Sequence, residues 1–220
     1  DHQIWLSGSV FQRNSDRSME SAQFGPGWSF YTKSGFYGLI WPQINKESLT
    51  STFELADDVW VPAGEYTFYG LVGVFNTPGG KKRFVNTSFY AGSFFDGWRI
   101  SVSFRPSWSL SSTWRLNGRY QYSHIQFLDR NQKFINHLVW LRITATFTTK
   151  ISASALVQYI SAGDIVIANI RLRYNPREGN YFYIVYNHGI NTDRLREGPQ
   201  LPFSDIRAVM LKYTYTFNIK

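Results

Sequence analysis

An all-β fold, an antiparallel transmembrane β-barrel of about twelve strands within a range of roughly ten to fourteen, is what three features of this sequence predict. The first is alternation of apolar and polar residues in segments of about 10 residues, the length of a tilted strand crossing the hydrocarbon layer. The second is a chain of 220 residues that averages slightly polar (mean hydropathy −0.28) although 18% of it is Trp, Tyr and Phe. Strands with one lipid-facing and one lumen-facing side reconcile the two values, because aromatic residues collect in girdles at the membrane interfaces. The third is an aromatic-rich amphipathic strand at the C-terminus. A helical span is excluded: the longest uncharged run is about 15 residues, Tyr66 to Gly80, and a spanning helix needs about 18 to 20.

The first 60 residues alternate less regularly than the rest. Strands are expected there near 2–12, 27–41 and 50–60, the second open to division at Gly35. Further strands are expected near 65–75, 83–94, 98–109, 114–127, 134–148, 150–160, 165–175 and 180–188. The turns Asn76-Thr77-Pro78-Gly79-Gly80, Phe95-Asp96-Gly97, Ser161-Ala162-Gly163-Asp164 and Asn175-Pro176-Arg177-Glu178-Gly179-Asn180 supply Gly, Pro, Asn or Asp where the ladder must end.

The final strand is the most regular. Val209, Leu211, Tyr213, Tyr215, Phe217 and Ile219 fall on one face, and Met210, Lys212, Thr214, Thr216 and Asn218 on the other. Tyr213, Tyr215 and Phe217 are the candidate signal for the barrel assembly machinery, although Lys220 stands where an aromatic residue often ends such chains. No linker divides residues 1–220, which read as a single domain. An even strand number places both termini in the periplasm, which makes the segment from His188 to Ser204 extracellular and the Asn175 turn periplasmic.

The polar phase of these strands holds Arg99, Arg105, Arg115, Arg119, Arg142, Arg171, Arg173 and Lys212, interleaved with Ser101, Ser103, Asn117, Gln121 and Asn169. A lipid-facing arginine at the bilayer midplane costs about 2–4 kcal/mol, so this phase must face the lumen. The carboxylates Asp96, Asp129, Asp164, Glu178, Asp193, Glu197 and Asp205 fall in turns, loops or strand starts. One reading is a pore whose guanidinium groups bind carboxylate, sulfate or phosphate. The other is a lumen filled by these side chains and paired with acids folded in from a loop or plug, and the narrow interior of a barrel this size favours it.

The formal charge of +8 does not point to nucleic acid, because the basic residues are spread singly through strands instead of clustering. With no cysteine there is no disulfide framework, thiol nucleophile or Cys-based zinc site, and no other metal or cofactor motif appears. Of the four histidines, His124 and His137 lie in apolar phases and His188 begins a loop, none spaced to share a face with a serine or carboxylate. The chain is therefore expected not to be an enzyme. Trp5, Tyr69 and Trp140 are the candidates by phase for a lumenal sugar slide; a girdle accounts for most other aromatic residues.

Four stretches carry a resemblance. Asn86-Thr87-Ser88-Phe89-Tyr90-Ala91-Gly92-Ser93-Phe94-Phe95-Asp96-Gly97, Asn169-Ile170-Arg171-Leu172-Arg173-Tyr174-Asn175, Tyr183-Ile184-Val185-Tyr186-Asn187 and Lys212-Tyr213-Thr214-Tyr215-Thr216-Phe217 resemble the C-terminal barrel of an uncharacterised outer-membrane family. In that family the barrel follows a domain resembling family 9 carbohydrate-binding modules. The resemblance covers about the last two thirds of the chain and implies an envelope protein tied to glycan handling, with a natural chain longer at its N-terminus. The expectation is thus an outer-membrane barrel of a Gram-negative bacterium, in contact with lipid and lipopolysaccharide. It acts as a pore for small anionic or glycan-derived solutes or as the membrane anchor of an envelope system, or else as a plugged barrel that docks a partner protein.

Overall fold

The computed structural model describes residues 1–56, 58–193 and 199–217. Fourteen strands follow in order: β1 (His2–Gln12), β2 (Met19–Tyr31), β3 (Tyr37–Leu49), β4 (Phe53–Ala56), β5 (Val59–Val61), β6 (Gly64–Asn76), β7 (Arg83–Phe94), β8 (Gly97–Ser109), β9 (Trp114–Phe127), β10 (Gln132–Thr146), β11 (Ile151–Ile160), β12 (Ile165–Arg177), β13 (Asn180–Asn191) and β14 (Ser204–Thr214). Twelve of them form one sheet in sequence order, a meander interrupted only by the separate two-stranded β4–β5 hairpin between β3 and β6.

The expected count of twelve is met, with β1 and β6 to β14 near where they were expected and the difference in strand assignment confined to the segments 27–41 and 50–60. The segment 27–41 is two strands: β2 begins at Met19, and a turn at residues 32–36 separates it from β3. Gly35 takes φ +87° in that turn, a conformation that a side chain resists. The segment 50–60 is not a membrane strand. It contains β4 and β5, each of only three or four residues, far too short to span. The last strand ends at Thr214, so Tyr213 lies in it while Tyr215 and Phe217 follow it; residues 218–220 lie outside the described ones. Strand β13 continues past His188 to Asn191, which shortens the long segment at its start.

Alternation sets the two faces. Along β8, β10 and β12 one face carries Ile100, Val102 and Phe104, then Val139, Leu141 and Ile143, then Ile170, Leu172 and Tyr174, all left exposed by the chain itself. A water-soluble monomer does not leave a sheet face this broad and apolar uncovered, and in hydrocarbon an antiparallel sheet is one of the few structures whose backbone groups can all pair internally. These strands, with their other face polar, are those of an antiparallel transmembrane β-barrel.

The Cα packing groups the chain into two compact units, residues 1–104 with 121–136, and residues 105–120 with 137–220. In the first unit, aromatic rings lie over glycines of the neighbouring strand: a Cβ on Gly27 would meet the Trp5 ring at 2.1 Å, and one on Gly70 the Tyr90 ring at 2.4 Å. The β2–β3 ladder runs in two stretches, Ser21 to Phe24 against Ile44 to Glu47 and Trp28 to Tyr31 against Tyr37 to Ile40. Pro26 and Pro42, which have no N–H to give, sit between them, and Trp41 Nε1 donates to the Gly25 carbonyl at 3.3 Å. In the second unit the ladders β10–β11 and β11–β12 pair without a shift.

Candidate functional site

The polar face of the second unit gathers Arg105, Arg115, Arg119, Arg142, Arg171, Arg173 and Lys212. Register makes two rows of directly opposed residues. Thr146, Ser152, Arg173, Tyr183 and Lys212 form one, and Thr144, Ser154, Arg171, Val185 and Met210 the other. Each guanidinium therefore stands beside a hydroxyl on the strand before it. Thr144, Ser152, Ser154, Arg171, Arg173 and Tyr183 line a pocket of about 270 Å³. A second, of about 310 Å³, is lined by Arg115, Asn117, Arg142, Thr144 and the hydroxyl side chains around residues 109–113. In the same unit Ser107 Oγ donates to Asn117 Oδ1 at 2.9 Å, which fixes the polar neighbour of Arg115.

Among the described residues no carboxylate is paired with Arg105, Arg115, Arg142, Arg171, Arg173 or Lys212, and Arg173 Nε is buried without a partner atom. Acids folded in to neutralise the ladder are thus not found among these residues; Glu197 lies outside them. A guanidinium with hydroxyls at its side and no resident carboxylate offers parallel N–H donors to an incoming oxyanion. Such groups, repeated over adjacent strands, hold anions without trapping them at one point.

Arg99 belongs to the first unit and has different surroundings. Its guanidinium carbon lies 3.9 Å from the Tyr90 ring centroid and 4.5 Å from that of Phe94, and its Nε is buried without a partner. The rest of that polar face is largely amide, hydroxyl and aromatic, with Glu47 following Gln43 and Asn45 on β3. Gln23 Nε2 donates to Gln43 Oε1 and Asn45 Oδ1, both at 3.0 Å, and Ser101 Oγ donates to Ser123 Oγ at 3.1 Å.

Sequence reasoning missed the apolar end of this face. Val59, Val61, Ile125 and Phe127 are buried together, with Leu49, Phe53, Tyr66, Phe94 and Phe134 packed against them. Ile125 and Phe127 continue the phase of Gln121 and Ser123, so the polar phase of β9 turns apolar over its last two inward positions. That switch was the available signal. The β4–β5 hairpin rests on it, and Arg130 clamps the hairpin: Nη1 donates to the Trp60 carbonyl at 2.7 Å and Nη2 pairs with Asp96 at 2.8 Å.

Of the sugar-slide candidates, Trp5 lies on the polar face, tilted against Trp41 at 5.3 Å, and Trp140 shares the phase of Arg142. Tyr69 does not: it is 60% exposed on the apolar face, opposite Ile44 and beside Leu71. The histidines also need one correction. His188 Nε2 lies 3.2 Å from Ser204 Oγ, a pair the sequence spacing did not suggest because the intervening loop hides it. It sits at the register shift between Gly189 and Ile190, where the hydroxyl ties the two strands together. His137 Nδ1 is 3.0 Å from the Tyr120 hydroxyl, also on the apolar face. No group of three His, Asp or Glu side chains among the described residues is placed to hold a metal.

Fold and faces thus define a class, the antiparallel transmembrane β-barrel. No protein-family model matches the chain, and no curated protein does. Among solved structures it is similar to one described as the NanC porin, at 12% identity over 99% of this chain and 98% of that one, with a TM-score of 0.38. It is similar also to one described as the KdgM porin in complex with disordered oligogalacturonate, at 10% identity over 99% and 100%, with a TM-score of 0.37. Likeness at this level carries nothing about ligand.

Proposed function

We propose that the chain is an outer-membrane pore for small anionic solutes, glycan-derived acids among them, in the envelope of a Gram-negative bacterium. The observation that carries it is the polar face of the second unit: Arg115, Arg142, Arg171, Arg173 and Lys212 stand in the polar phase of their strands, near hydroxyls, and no carboxylate among the described residues is paired with these five. Each guanidinium adds a favourable potential for an anion in a low-dielectric passage and little for a neutral solute. The apolar face contacts lipid and lipopolysaccharide, and β14 with the aromatic residues after it engages the barrel assembly machinery. The function needs no catalytic group or cofactor: the Ser204–His188 pair acts as a structural hydrogen bond. The four resembling stretches support placing the chain as the barrel of the carbohydrate-module family.

The test is the reversal potential of the purified chain in planar bilayers under a salt gradient, with the Arg171→Ser, Arg173→Ser double variant beside it. Anion-selective current that weakens in the variant is expected; equal cation and anion permeability in the unaltered chain refutes the reading. The β4–β5 hairpin favours a second reading, a plugged barrel that anchors or docks an envelope partner, because an element that covers one end of the polar face restricts passage. A stoichiometric partner that co-purifies in detergent, with no current from the chain, is its signature.

A further inference from the structure

The β4–β5 hairpin buries two of its apolar side chains against the sheet. Val59 is 4% exposed and Val61 0%, whereas the sheet's own strands leave most of their large apolar residues in the open. Both valines pack against Ile125 and Phe127. Three polar ties add to it: Arg130 to the Trp60 carbonyl, Arg130 to Asp96, and the Tyr66 hydroxyl to the Pro62 carbonyl at 2.9 Å. Arg130 also stacks on Phe127, its guanidinium carbon 4.2 Å from the ring centroid. A surface loop needs none of this. A segment that must stay in place against flow does.

The wall residues under the hairpin are all in the polar phase: Leu49 follows Gln43, Asn45 and Glu47, Phe94 follows Tyr90 and Gly92, and Ile125 and Phe127 follow Gln121 and Ser123. The hairpin therefore lies on the face that solute must pass. Phe94 joins it to a cation, since the ring that packs against the hairpin cluster also carries the Arg99 guanidinium at 4.5 Å. Tyr90, on the other contact of that guanidinium, is itself pinned by its hydroxyl donating to the Ser93 carbonyl at 2.9 Å. No carboxylate among the described residues is paired with Arg99.

We propose that the β4–β5 hairpin, clamped by Arg130, is the constriction of this pore, and that Arg99, held over Tyr90 and Phe94, is the cation that selects oxyanions at it. The inference rests on the pore reading. It assigns size limitation to the first unit and leaves conduction of anions along the second to its arginine ladder. An oxyanion with two oxygens in one plane, a carboxylate above all, matches the paired donors of a guanidinium whose plane two rings have fixed.

The experiment compares unaltered chain, Val61→Glu, Arg130→Ala and Arg99→Gln as single channels in planar bilayers, each first checked for heat-modifiable migration as a folded barrel. Val61→Glu puts a charge where a side chain is fully buried and so levers out the hairpin without touching a membrane strand. Conductance about twofold or more above the unaltered chain is expected for Val61→Glu, a smaller rise or faster flicker for Arg130→Ala, and unchanged conductance with reduced preference for acetate over potassium for Arg99→Gln. A silent unaltered chain beside a conducting Val61→Glu also supports the constriction, as full closure. Identical conductance with and without the hairpin seated overturns it while leaving the pore reading intact. Unchanged selectivity in Arg99→Gln removes Arg99 from the filter. Folded but silent protein in every variant overturns the pore reading itself.

Discussion

The two units of this chain solve the same problem, what to place on the polar face of a membrane sheet, in opposite ways. The first fills it with rings over glycines, amide ladders and an apolar hairpin. The second covers it with cations and hydroxyls and leaves pockets of about 270 and 310 Å³ between them. Packing of the first kind lowers free energy through contact. Charge of the second kind costs free energy unless water or an anion solvates it. The difference teaches that packing is concentrated in the first unit and, Arg99 apart, cationic charge in the second, so most substitutions in the two regions should show themselves in different measurements.

The largest effect belongs to the packed region. Phe127, 1% exposed at the centre of the hairpin cluster, should lose about 3–5 kcal/mol on truncation to alanine. Val185→Ala on the polar face of the second unit should cost less than about 2 kcal/mol, because Val185 is only half-buried beside Arg171. Denaturant unfolding in lipid, followed by loss of heat-modifiability, measures both; equal losses would erase the contrast. Next comes Gly27→Val, whose side chain must displace the Trp5 ring at a cost of about 1–3 kcal/mol. Gly79→Ala, at a position with nothing within 4 Å, should leave the unfolding midpoint where it was.

Charge inversion sharpens the other half. Arg171→Glu with Arg173→Glu should move the anion-to-cation permeability ratio by on the order of tenfold, while Gln43→Ala with Asn45→Ala moves it less than about twofold. A comparable shift from both pairs would contradict the division of labour. The smallest effect is a pH effect outside the membrane strands. Hydrogen bonds from Ser18 hold the Asp16 carboxyl below its ordinary value of 3.8 in the β1–β2 turn. A carboxylate depressed on folding stabilises above its unfolded value, so the contribution is complete at neutral pH and fades as acid is added below about 3.8. Thermal midpoints of unaltered chain and Asp16→Asn should therefore differ slightly at pH 7, and the difference should shrink as the pH falls below about 3.8.

Much of this was legible in the chain. Strands β6 to β13 fall within a few residues of where alternation puts them, because each has a lipid-facing phase that polar residues cannot enter cheaply. The arginines of the second unit were legible for the same reason. Strand β1 matches its expected bounds, 2–12, but the rest of the first 60 residues was not legible. Gly25, Pro26 and Gly27 break the pattern of β2, and their role is visible only when Trp5 and Trp41 are laid over them from neighbouring strands. The β4–β5 segment reads as one strand because Phe53, Leu55, Val59 and Val61 alternate, yet their partners are Ile125 and Phe127, far away in sequence. Arg130 carries no signal in the sequence, since nothing local shows that its partners are Asp96 and the Trp60 carbonyl.

The central claim is that the cationic phase of β12 faces water while its alternate phase faces lipid. The chain has no cysteine, so single cysteines at Ile170, Arg171, Leu172 and Arg173 can be introduced one at a time without background. Reconstituted into vesicles, the variants at 171 and 173 should react with a membrane-impermeant maleimide. Those at 170 and 172 should resist it and, once fitted with a fluorophore by a permeant reagent, be quenched by bromine-bearing lipid chains. Uniform labelling or uniform quenching across the four positions would contradict the account.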